Sequence, residues 1–326
     1  MKLSRLSIAL SAFALTACGG VDQNQPPERM VVPRGATLTA VAESLSARGI
    51  IDSKRFFKLY AKLTGRESEI QAGVYDFHRG TSISGILDAL VNGREATDLL
   101  SLPEGLMLSE VTEQVQFQLG IEPDSFAAAV RDSLLLAEVG APAETLEGYL
   151  YPSTYYVLAR ATARDLVTQM IAEFQAQWQS EWDARLVELG MTKHEIVILA
   201  SIIEGEVQDR SDSRLVSSVY HNRLRRGMRL QADPTVIYSL GRRRRLFERD
   251  YAVRSPYNTY RIDGLPPGPI NQPSATSIEA ALLPADTDYL YFVAASDGRH
   301  VFTRTYSEHL AAIRRVRNSG HERSAN

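Results

Sequence analysis

The sequence predicts an α+β protein in which a small β-α-α-β domain is followed by a larger, α-rich domain with a C-terminal β portion. A length of 326 residues favours two domains over one. The composition, with 44% hydrophobic and 23% charged residues, is that of a globular protein with enough apolar side chains for one or two cores. Strand-like and helix-like segments alternate early in the chain, whereas helical periodicity dominates after residue 97.

The N-terminal segment MKLSRLSIALSAFALTACGG has the pattern of an export signal. Lys2 and Arg5 precede an apolar stretch from Leu6 to Ala17, which is too short to span a bilayer but suits the core of a signal peptide. The stretch ends in Leu-Thr-Ala-Cys, which resembles the lipobox of bacterial lipoproteins and implies cleavage before Cys18 with lipid attached to its sulfur. The alternative is an ordinary signal peptide, or a poor membrane anchor. We therefore predict a signal peptide over residues 1–17 and an anchor and linker over 18–29.

Cysteine count and net charge narrow the chemistry. Cys18 is the only cysteine, so the mature domains are predicted to have no disulfide, no thiol nucleophile and no cysteine metal ligand. The formal net charge of −3 gives no reason to expect nucleic acid as a partner. Basic residues do cluster at 223–229 and 242–245, so a local anionic partner stays open.

The small domain is placed at residues 30–96. The strand-like segment MVVPRG is followed by two helical segments, TLTAVAESLSARG and SKRFFKLYAKLTG, then by a strand in AGVYDF and a helix in ILDALVNG. This order and the last two segments resemble the LysM-like module of a murein-enzyme family. LysM modules commonly bind N-acetylglucosamine polymers, and the alternative is a packing domain without ligand affinity.

The larger domain is placed at residues 97–318, with a tail over 319–326. A short strand and a helix are predicted in SLPEGLMLSEVTEQV. One long stretch of helical periodicity follows in ARDLVTQMIAEFQAQWQSEWDARLVELG. Trp178 and Trp182 within that stretch could stack on sugars, although aromatic residues at helical spacing are more often core residues.

The segment ILASIIEGEVQDR places two carboxylates in a strongly apolar helix. Thr192 and Glu195 form a capping box that predicts the helix start. Glu204 and Glu206 lie about 200° apart around that helix, on the two flanks of its apolar stripe. Burial there would raise the pKa of either carboxyl toward that of a general acid. The alternative is that Gly205 ends the helix and both carboxylates pair with arginines, and periodicity alone does not choose between the two glutamates.

Three longer segments, Ser217–Gly241, Ser255–Pro284 and Tyr289–His309, follow in order, and EGYLYPSTYYV precedes them. Together they resemble the signature segments of the endolytic murein transglycosylase (YceG-like) family, and the similarity runs from Met30 to Arg317. The sequence departs from the family pattern at Ser153, where an aspartate is usual, and at Ser274, where glycine is usual. Its N-terminus departs as well, because many relatives have a transmembrane helix there.

The resemblance implies a role for the second glutamate. The catalytic glutamate of the family falls on Glu206, and Glu204 is left with a supporting or structural role. Protonated Glu206 would donate to the oxygen between N-acetylmuramic acid and N-acetylglucosamine, and would then accept the proton of the muramic C6 hydroxyl as a 1,6-anhydro ring closes. Each of the polar candidates for positioning the sugar has a structural role as its alternative. These candidates are Asn222, Gln231, Asp233, Tyr257 and Asn258.

No cofactor or metal is expected. The segment HEIVI at His194 lacks the second histidine of a zinc-protease helix, and His221, His300 and His309 are well separated in sequence. The resemblance implies endolytic cleavage of nascent glycan strands, action in strand termination, and penicillin-binding proteins as possible partners. It favours the periplasmic face of the inner membrane, with anchoring through the N-terminus. The alternatives are a lysozyme-like hydrolase, using Glu206 with Glu204 or Asp233, and a non-catalytic murein-binding lipoprotein.

Overall fold

The computed structural model describes residues 25–295 and 298–324. The predicted signal peptide and Cys18 lie outside the described residues. Two compact units are present: residues 25–97 with 158–160 form one, and the remaining described residues form the other. Helices and two-stranded sheets make up both, so the predicted α+β class is confirmed. Within the described ranges, no helix is both long enough and apolar enough to cross a bilayer.

The first unit contains a two-stranded antiparallel sheet in which Met30 lies opposite Tyr75. Two helices connect the strands, as the pattern predicted, and a third follows the second strand. The elements are β1 (Glu28–Val32), α1 (Leu38–Ala47), α2 (Lys54–Leu63), β2 (Gly73–Phe77) and α3 (Ile83–Val91).

Local sequence explains where these helices begin and what they bury. The side chains of Thr37, Ser53 and Ser82 accept hydrogen bonds from the first turns of α1, α2 and α3, which satisfies backbone donors that a helix start leaves unpaired. Apolar residues from all three helices and both strands then form one core, in which Phe57 and Tyr75 are fully buried.

The rest of the chain is mainly helical. Its first part holds β3 (Thr97–Ser101), α4 (Leu108–Leu119), α5 (Pro123–Ala129), α6 (Ser133–Val139), β4 (Thr154–Leu158), α7 (Ala163–Gln177), α8 (Glu181–Leu189) and α9 (Lys193–Glu206). Its second part holds α10 (Ser213–Arg225), α11 (Asp233–Ser239), α12 (Ala275–Leu282), β5 (Tyr291–Ala294), β6 (His300–Thr303) and α13 (Tyr306–Ser324), with short 3-10 turns at Arg210–Asp212 and Glu248–Ala252. β3 pairs with β4, and β5 pairs with β6.

The long stretch of helical periodicity is interrupted, which the sequence did not predict. Trp178 has extended backbone angles and ends α7, and its indole N–H donates to Asp183 at 2.9 Å. The Lys193 ammonium lies 4.3 Å from the Trp178 ring centre. Trp182 is buried and packs edge-on against Trp178. Both tryptophans therefore serve packing at the junction of α7, α8 and α9.

Helix α9 runs through the core of the second unit. The predicted capping box is confirmed, since Thr192 accepts from the amide of Glu195 and the Glu195 carboxylate accepts from the amide of Thr192. Residues 196–203 of this helix are all buried. α10, α11 and α12 all pack against it. A helix that is apolar nearly all round is stable only when other elements cover it in this way.

One alternative from the sequence was that Gly205 ends α9. That alternative is wrong, because the helix continues to Glu206. A Cβ at position 205 would lie 2.7 Å from the Cβ of Pro234. The glycine therefore allows the first turn of α11 to approach the last turn of α9. This contact places Asp233 beside the end of α9.

Candidate active site

Glu206 lies at the C-terminal end of α9 and lines a cavity of about 430 Å³. The walls come from distant parts of the chain: Arg223 on α10, the segment 230–233, Tyr260, and residues of β5, β6 and α13. The end of the buried helix α9 therefore positions the Glu206 carboxylate at a solvent-accessible cavity.

Burial dominates the electrostatics of Glu206. It raises the pKa of this carboxyl to about 7, and the negative charge of Asp233 acts in the same direction. A hydrogen bond from Tyr220 and the positive charge of Arg223 act in the opposite direction and keep the rise limited. Near neutral pH the carboxyl is thus partly protonated, which is the state that a general acid needs.

Tyr220 on α10 holds the Glu206 carboxylate in place. Its hydroxyl donates to Oε1 of Glu206 at 2.8 Å, and its ring is almost fully buried against Phe292 of β5. A buried aromatic ring has little freedom to rotate, so the hydroxyl fixes the orientation of the carboxylate.

Arg223 brings a cation to the same wall, one helical turn beyond Tyr220. Its guanidinium donates to the carbonyl oxygens of Leu290 at 2.7 Å and Leu230 at 2.5 Å, and lies 5.3 Å from the Tyr291 ring centre. Burial lowers the pKa of Arg223. These contacts tie α10 to β5 and hold the positive charge beside the cavity.

Asp233 is held by two tyrosines. The Tyr260 hydroxyl donates to Oδ1 of Asp233 at 2.6 Å, and the Tyr251 hydroxyl donates to Oδ2 at 3.4 Å. Asp233 also begins α11, directly before Pro234. The structure therefore brings the predicted residues Glu206 and Asp233 into one cavity, and presents Asp233 as an oriented carboxylate.

Gln231 is the third predicted residue in the cavity wall. Its φ of +50° is the one positive value at a non-glycine residue among those that the structure describes. The backbone N–H of Gln231 donates to the carbonyl oxygen of Thr259 at 3.2 Å, and this hydrogen bond holds the backbone conformation. A side chain kept exposed by a backbone that L-residues rarely adopt is a common feature of functional sites.

The Glu204 carboxylate, unlike that of Glu206, is outside the cavity lining and accepts hydrogen bonds from the start of α12. Its Oε2 accepts from the Ser274 amide at 3.0 Å, from the Ser274 hydroxyl at 2.5 Å and from the Ser277 hydroxyl at 2.7 Å. An Arg210 guanidinium nitrogen lies 3.8 Å from its other oxygen. Glu204 therefore binds the N-terminal turn of α12 through Ser274 and Ser277.

Three other predicted residues are outside the cavity lining. The Asn222 amide donates to the carbonyl oxygens of Thr287 and Tyr289, at 2.8 and 2.9 Å. Asn258 is fully buried and donates to two backbone carbonyls of the segment that carries Tyr251. The Tyr257 ring packs 4.7 Å from that of Tyr238. These positions correspond to the structural alternatives that the sequence left open.

Several cavity residues were not among the predicted site residues. The clearest cases in the cavity wall are Tyr260, Tyr291 and Tyr306, and Tyr220, which contacts Glu206 from outside the lining, was not predicted either. All four lie in segments that carried the family resemblance, but nothing in their spacing indicates that they meet Glu206. The cavity also includes His300, whose Nδ1 lies 3.0 Å from an Asp212 carboxylate oxygen.

The histidines do not gather into a metal centre. Across residues 25–295 and 298–324, no group of three or more His, Cys, Asp or Glu side chains is arranged to hold a metal ion. His194 contacts the Tyr149 hydroxyl at 2.8 Å, and His221 contacts the Ala281 carbonyl at 2.8 Å. Both therefore have hydrogen-bond partners within the protein.

Comparison with known proteins places this site in context. A protein from Bacillus subtilis strain 168 named endolytic murein transglycosylase is 31% identical over 308 residues, covering 90% of this chain and 85% of that one. A protein of the same name from Streptococcus pneumoniae serotype 2 is 28% identical, covering 85% of this chain and 56% of its own length. The crystal structure of a yceG-like protein from Listeria monocytogenes has a TM-score of 0.61 and 29% identity, covering 88% of this chain and 99% of that one.

The family profile described as YceG-like matches residues 30–315, which include the whole cavity. The match extends over most of the chain and agrees with the resemblance expected from the sequence segments. On this evidence the chain belongs to the YceG-like family.

Proposed function

We propose that this protein is an endolytic murein lytic transglycosylase that cleaves the bond between N-acetylmuramic acid and N-acetylglucosamine in nascent glycan strands. The relatives named endolytic murein transglycosylase support the activity class. The observation that carries the proposal is the position of Glu206 in the cavity wall, with a hydrogen bond from Tyr220 and a pKa that desolvation raises to about 7. One carboxyl that exchanges a proton twice is sufficient for this reaction.

In the first step Glu206 acts as the general acid. Its proton goes to the glycosidic oxygen, and the bond between that oxygen and the muramic C1 breaks. Positive charge develops at C1 and the ring oxygen. Asp233 supplies a fixed negative charge in the same cavity, and such a charge stabilises an oxocarbenium-like centre when it is already oriented before the reaction.

In the second step Glu206, now a carboxylate, acts as the general base. It accepts the proton of the muramic C6 hydroxyl while O6 forms a bond to C1, which closes a 1,6-anhydro ring. Glu206 is then protonated again, and no water is consumed. Tyr220 donates to the carboxylate form and so stabilises it between the two steps.

Gln231 and Tyr260 are the remaining candidates for contact with sugar, because both line the cavity and carry hydrogen-bonding groups. Glu204 has a supporting role that is mechanical: it holds α12 against α9, the helix that ends in Glu206. Asn222 and Asn258 act indirectly, because their side chains fix backbone segments around the cavity.

The cellular setting follows from the proposed substrate. Residues 30–96 would form a LysM-like domain, residues 97–318 the catalytic domain, and Cys18 a lipid anchor that keeps both at the periplasmic face of a membrane, with the inner membrane favoured. Strand termination beside penicillin-binding proteins would be the biological role.

The products of cleavage test the proposal. Uncross-linked glycan strands are digested by the protein and by its Glu206→Gln variant, and the new ends are identified by mass spectrometry. We expect 1,6-anhydromuramic ends from the unmutated protein alone. Reducing ends would indicate a lysozyme-like hydrolase, for which Asp233 is the second carboxylate in the cavity. No cleavage by either protein would leave a non-catalytic murein-binding lipoprotein.

A further inference from the structure

Helix α2 of the first unit carries an apolar stripe that faces solvent. Phe56, Leu59 and Leu63 are 57%, 53% and 78% exposed. At about 100° per residue these three side chains fall within roughly 60° of the helix circumference. The opposite side of the helix buries Phe57 and Ala61 in the core of the unit. α2 is therefore apolar on two faces, and the described residues of the protein cover only one of them.

Basic side chains border the exposed stripe. The helix sequence KRFFKLYAKL has four lysines and arginines and no acidic residue. Lys54 lies 3.6 Å from a Glu43 carboxylate oxygen. Among the residues that the structure describes, Arg55, Lys58 and Lys62 have no carboxylate within ion-pair distance. The exposed surface is thus a convex apolar ridge with unneutralised positive charge beside it.

This combination matches the surface of an anionic phospholipid bilayer. Apolar side chains on a convex ridge can enter the boundary between headgroups and acyl chains, and lysines and arginines beside them meet lipid phosphates. A protein groove would need to be concave, and a second copy of this helix would bring like charges together. Large exposed apolar side chains that cluster on one element commonly mark such contact surfaces.

A helix of ten residues is too short to hold a protein on a membrane by itself. The lipid anchor in the proposed function supplies the second attachment, and the inference rests on it in this respect. Cys18 is seven residues before Gln25, where the described chain begins, and seven residues span at most about 25 Å. An anchor at Cys18 therefore keeps the first unit close to the bilayer, where a weak contact becomes effective.

We propose that the α2 ridge, formed by Phe56, Leu59 and Leu63 with Arg55 and Lys62, lies on the anionic phospholipid surface of the membrane that carries the anchor. The contact fixes which side of the first unit faces the lipid.

The test uses the full chain, acylated at Cys18 and reconstituted in vesicles of phosphatidylglycerol and phosphatidylethanolamine. Leu63→Cys is labelled with an environment-sensitive fluorophore, and Val187→Cys, at a residue 83% exposed on α8, is the matched control. We expect a blue shift and quenching by lipids with brominated acyl chains at position 63 and neither at position 187. Both signals should fall in phosphatidylcholine vesicles.

Charge reversal by Arg55→Glu with Lys62→Glu should lower the equilibrium constant for the contact at least about tenfold. Equal quenching at positions 63 and 187, or quenching that ignores the charge reversal, would overturn the proposal. A blue shift without quenching by brominated lipid would mean that protein, including a second copy, covers the ridge, and would also overturn it.

Separate readouts keep this proposal apart from the proposed function. Flotation with the vesicles reports the anchor, and its loss would overturn the membrane contact along with the tether. Formation of anhydromuramic ends from soluble strands reports the chemistry. Replacing Phe56, Leu59 and Leu63 by serine should leave that cleavage and the melting temperature unchanged while abolishing the lipid contact, because these side chains are outside both core and cavity.

Discussion

Two glutamates one residue apart have opposite surroundings, and this difference decides their roles. Glu206 is half-buried and has one hydroxyl donor, and desolvation raises its pKa to about 7, so the carboxyl is partly protonated near neutral pH. Glu204 has three donors from Ser274 and Ser277. Residues at i and i+2 point to different sides of a helix, so both environments can occur within a single turn.

The pKa of Glu206 predicts the pH dependence of the reaction. The acid must be protonated at the start, and its pKa is raised to about 7. Activity should therefore be full below about pH 6 and fall about tenfold per pH unit well above pH 7. Initial rates of anhydromuramic end formation at low substrate concentration, measured between about pH 5 and 9, check this. A profile that is flat to pH 9 would contradict the assignment of Glu206 as the acid.

Removing the hydroxyl of Tyr220 should move that profile. The hydrogen bond from Tyr220 lowers the pKa of Glu206, so Tyr220→Phe should raise it. A hydrogen bond to a charged group contributes about 1.5 kcal/mol, which corresponds to a shift of roughly one pH unit in the falling limb. Tyr238→Phe is a control, because Tyr238 contacts Glu147 instead of Glu206. If Tyr220→Phe lowered activity at all pH values without shifting the falling limb of the pH profile, Tyr220 would only support the fold.

Neutral replacements of the two glutamates should separate chemistry from stability. Glu206→Gln should reduce the rate of cleavage by at least about a hundredfold. It should not lower the melting temperature, because a buried charge is removed. Glu204→Gln should retain most of the activity but lose about 1–3 kcal/mol of stability, since the donors on α12 lose a charged acceptor. Thermal unfolding and product analysis of both variants check the pair. If Glu204→Gln instead lost activity while Glu206→Gln lost only stability, Glu204 would be the general acid.

At the scale of elements, the close contact between α9 and α11 depends on one missing side chain. Gly205→Ala would place a Cβ 2.7 Å from Pro234, so α11 must shift. We expect a loss of about 1–3 kcal/mol of stability, despite the better helix propensity of alanine, together with reduced cleavage because Asp233 moves with α11. Gly85→Ala in α3 is the control, since the nearest atom there is the Ser82 hydroxyl oxygen at 3.1 Å, farther away than the 2.7 Å at position 205. Unchanged activity in Gly205→Ala would show that the position of Asp233 is not important.

Helix α9 also shows what sequence reasoning can and cannot supply. The capping box and the apolar periodicity were sufficient to predict its start and its burial. The partner of Glu206 could not be predicted, because Tyr220 is 14 residues away on another helix and meets the carboxylate only when α10 packs against α9. The interruption between α7 and α8 was missed for a similar reason. Trp178 contacts Asp183 and Lys193, and these contacts favour the end of α7 at this position. Helical periodicity gives no information about such contacts.

At the scale of the whole molecule, a third carboxyl should make stability depend on pH. Glu147 is 4% exposed and accepts hydrogen bonds from Gln272 at 2.6 Å and from the Leu108 amide at 3.1 Å. Burial raises its pKa to about 8 from an ordinary value of 4.5. The folded state therefore holds a proton that the unfolded state has released, so stability falls as pH rises between these two values.

The expected slope is about 1.4 kcal/mol of unfolding free energy per pH unit in that range. Glu147→Gln should remove this part of the dependence, whatever its effect on stability at low pH. Urea denaturation of both proteins at several pH values between about 5 and 8 checks the difference in slope. Parallel curves would show that Glu147 is charged in the folded protein.

The α+β class is the largest feature that the sequence predicted and the structure confirms. The cavity was not predictable at this scale. Its wall combines residues from α9 to α13, more than a hundred positions apart, and only the folded chain brings them together. Of the seven polar residues singled out beforehand, Glu206, Gln231 and Asp233 line that wall, and Glu204 lies close by on α9.

The contribution of β5, β6 and α13 to the cavity has a consequence for the life of a newly made chain. Ribosomes synthesise Glu206 long before Tyr291, His300, Tyr306 and His309, which complete the opposite wall. A chain that is still growing thus has its acid but no enclosed site around it. Tyr220, the hydrogen-bond donor to Glu206, also packs its ring against Phe292 of β5. We therefore expect a chain that ends before β5 to lack cleavage activity, because the wall opposite Glu206 would be missing.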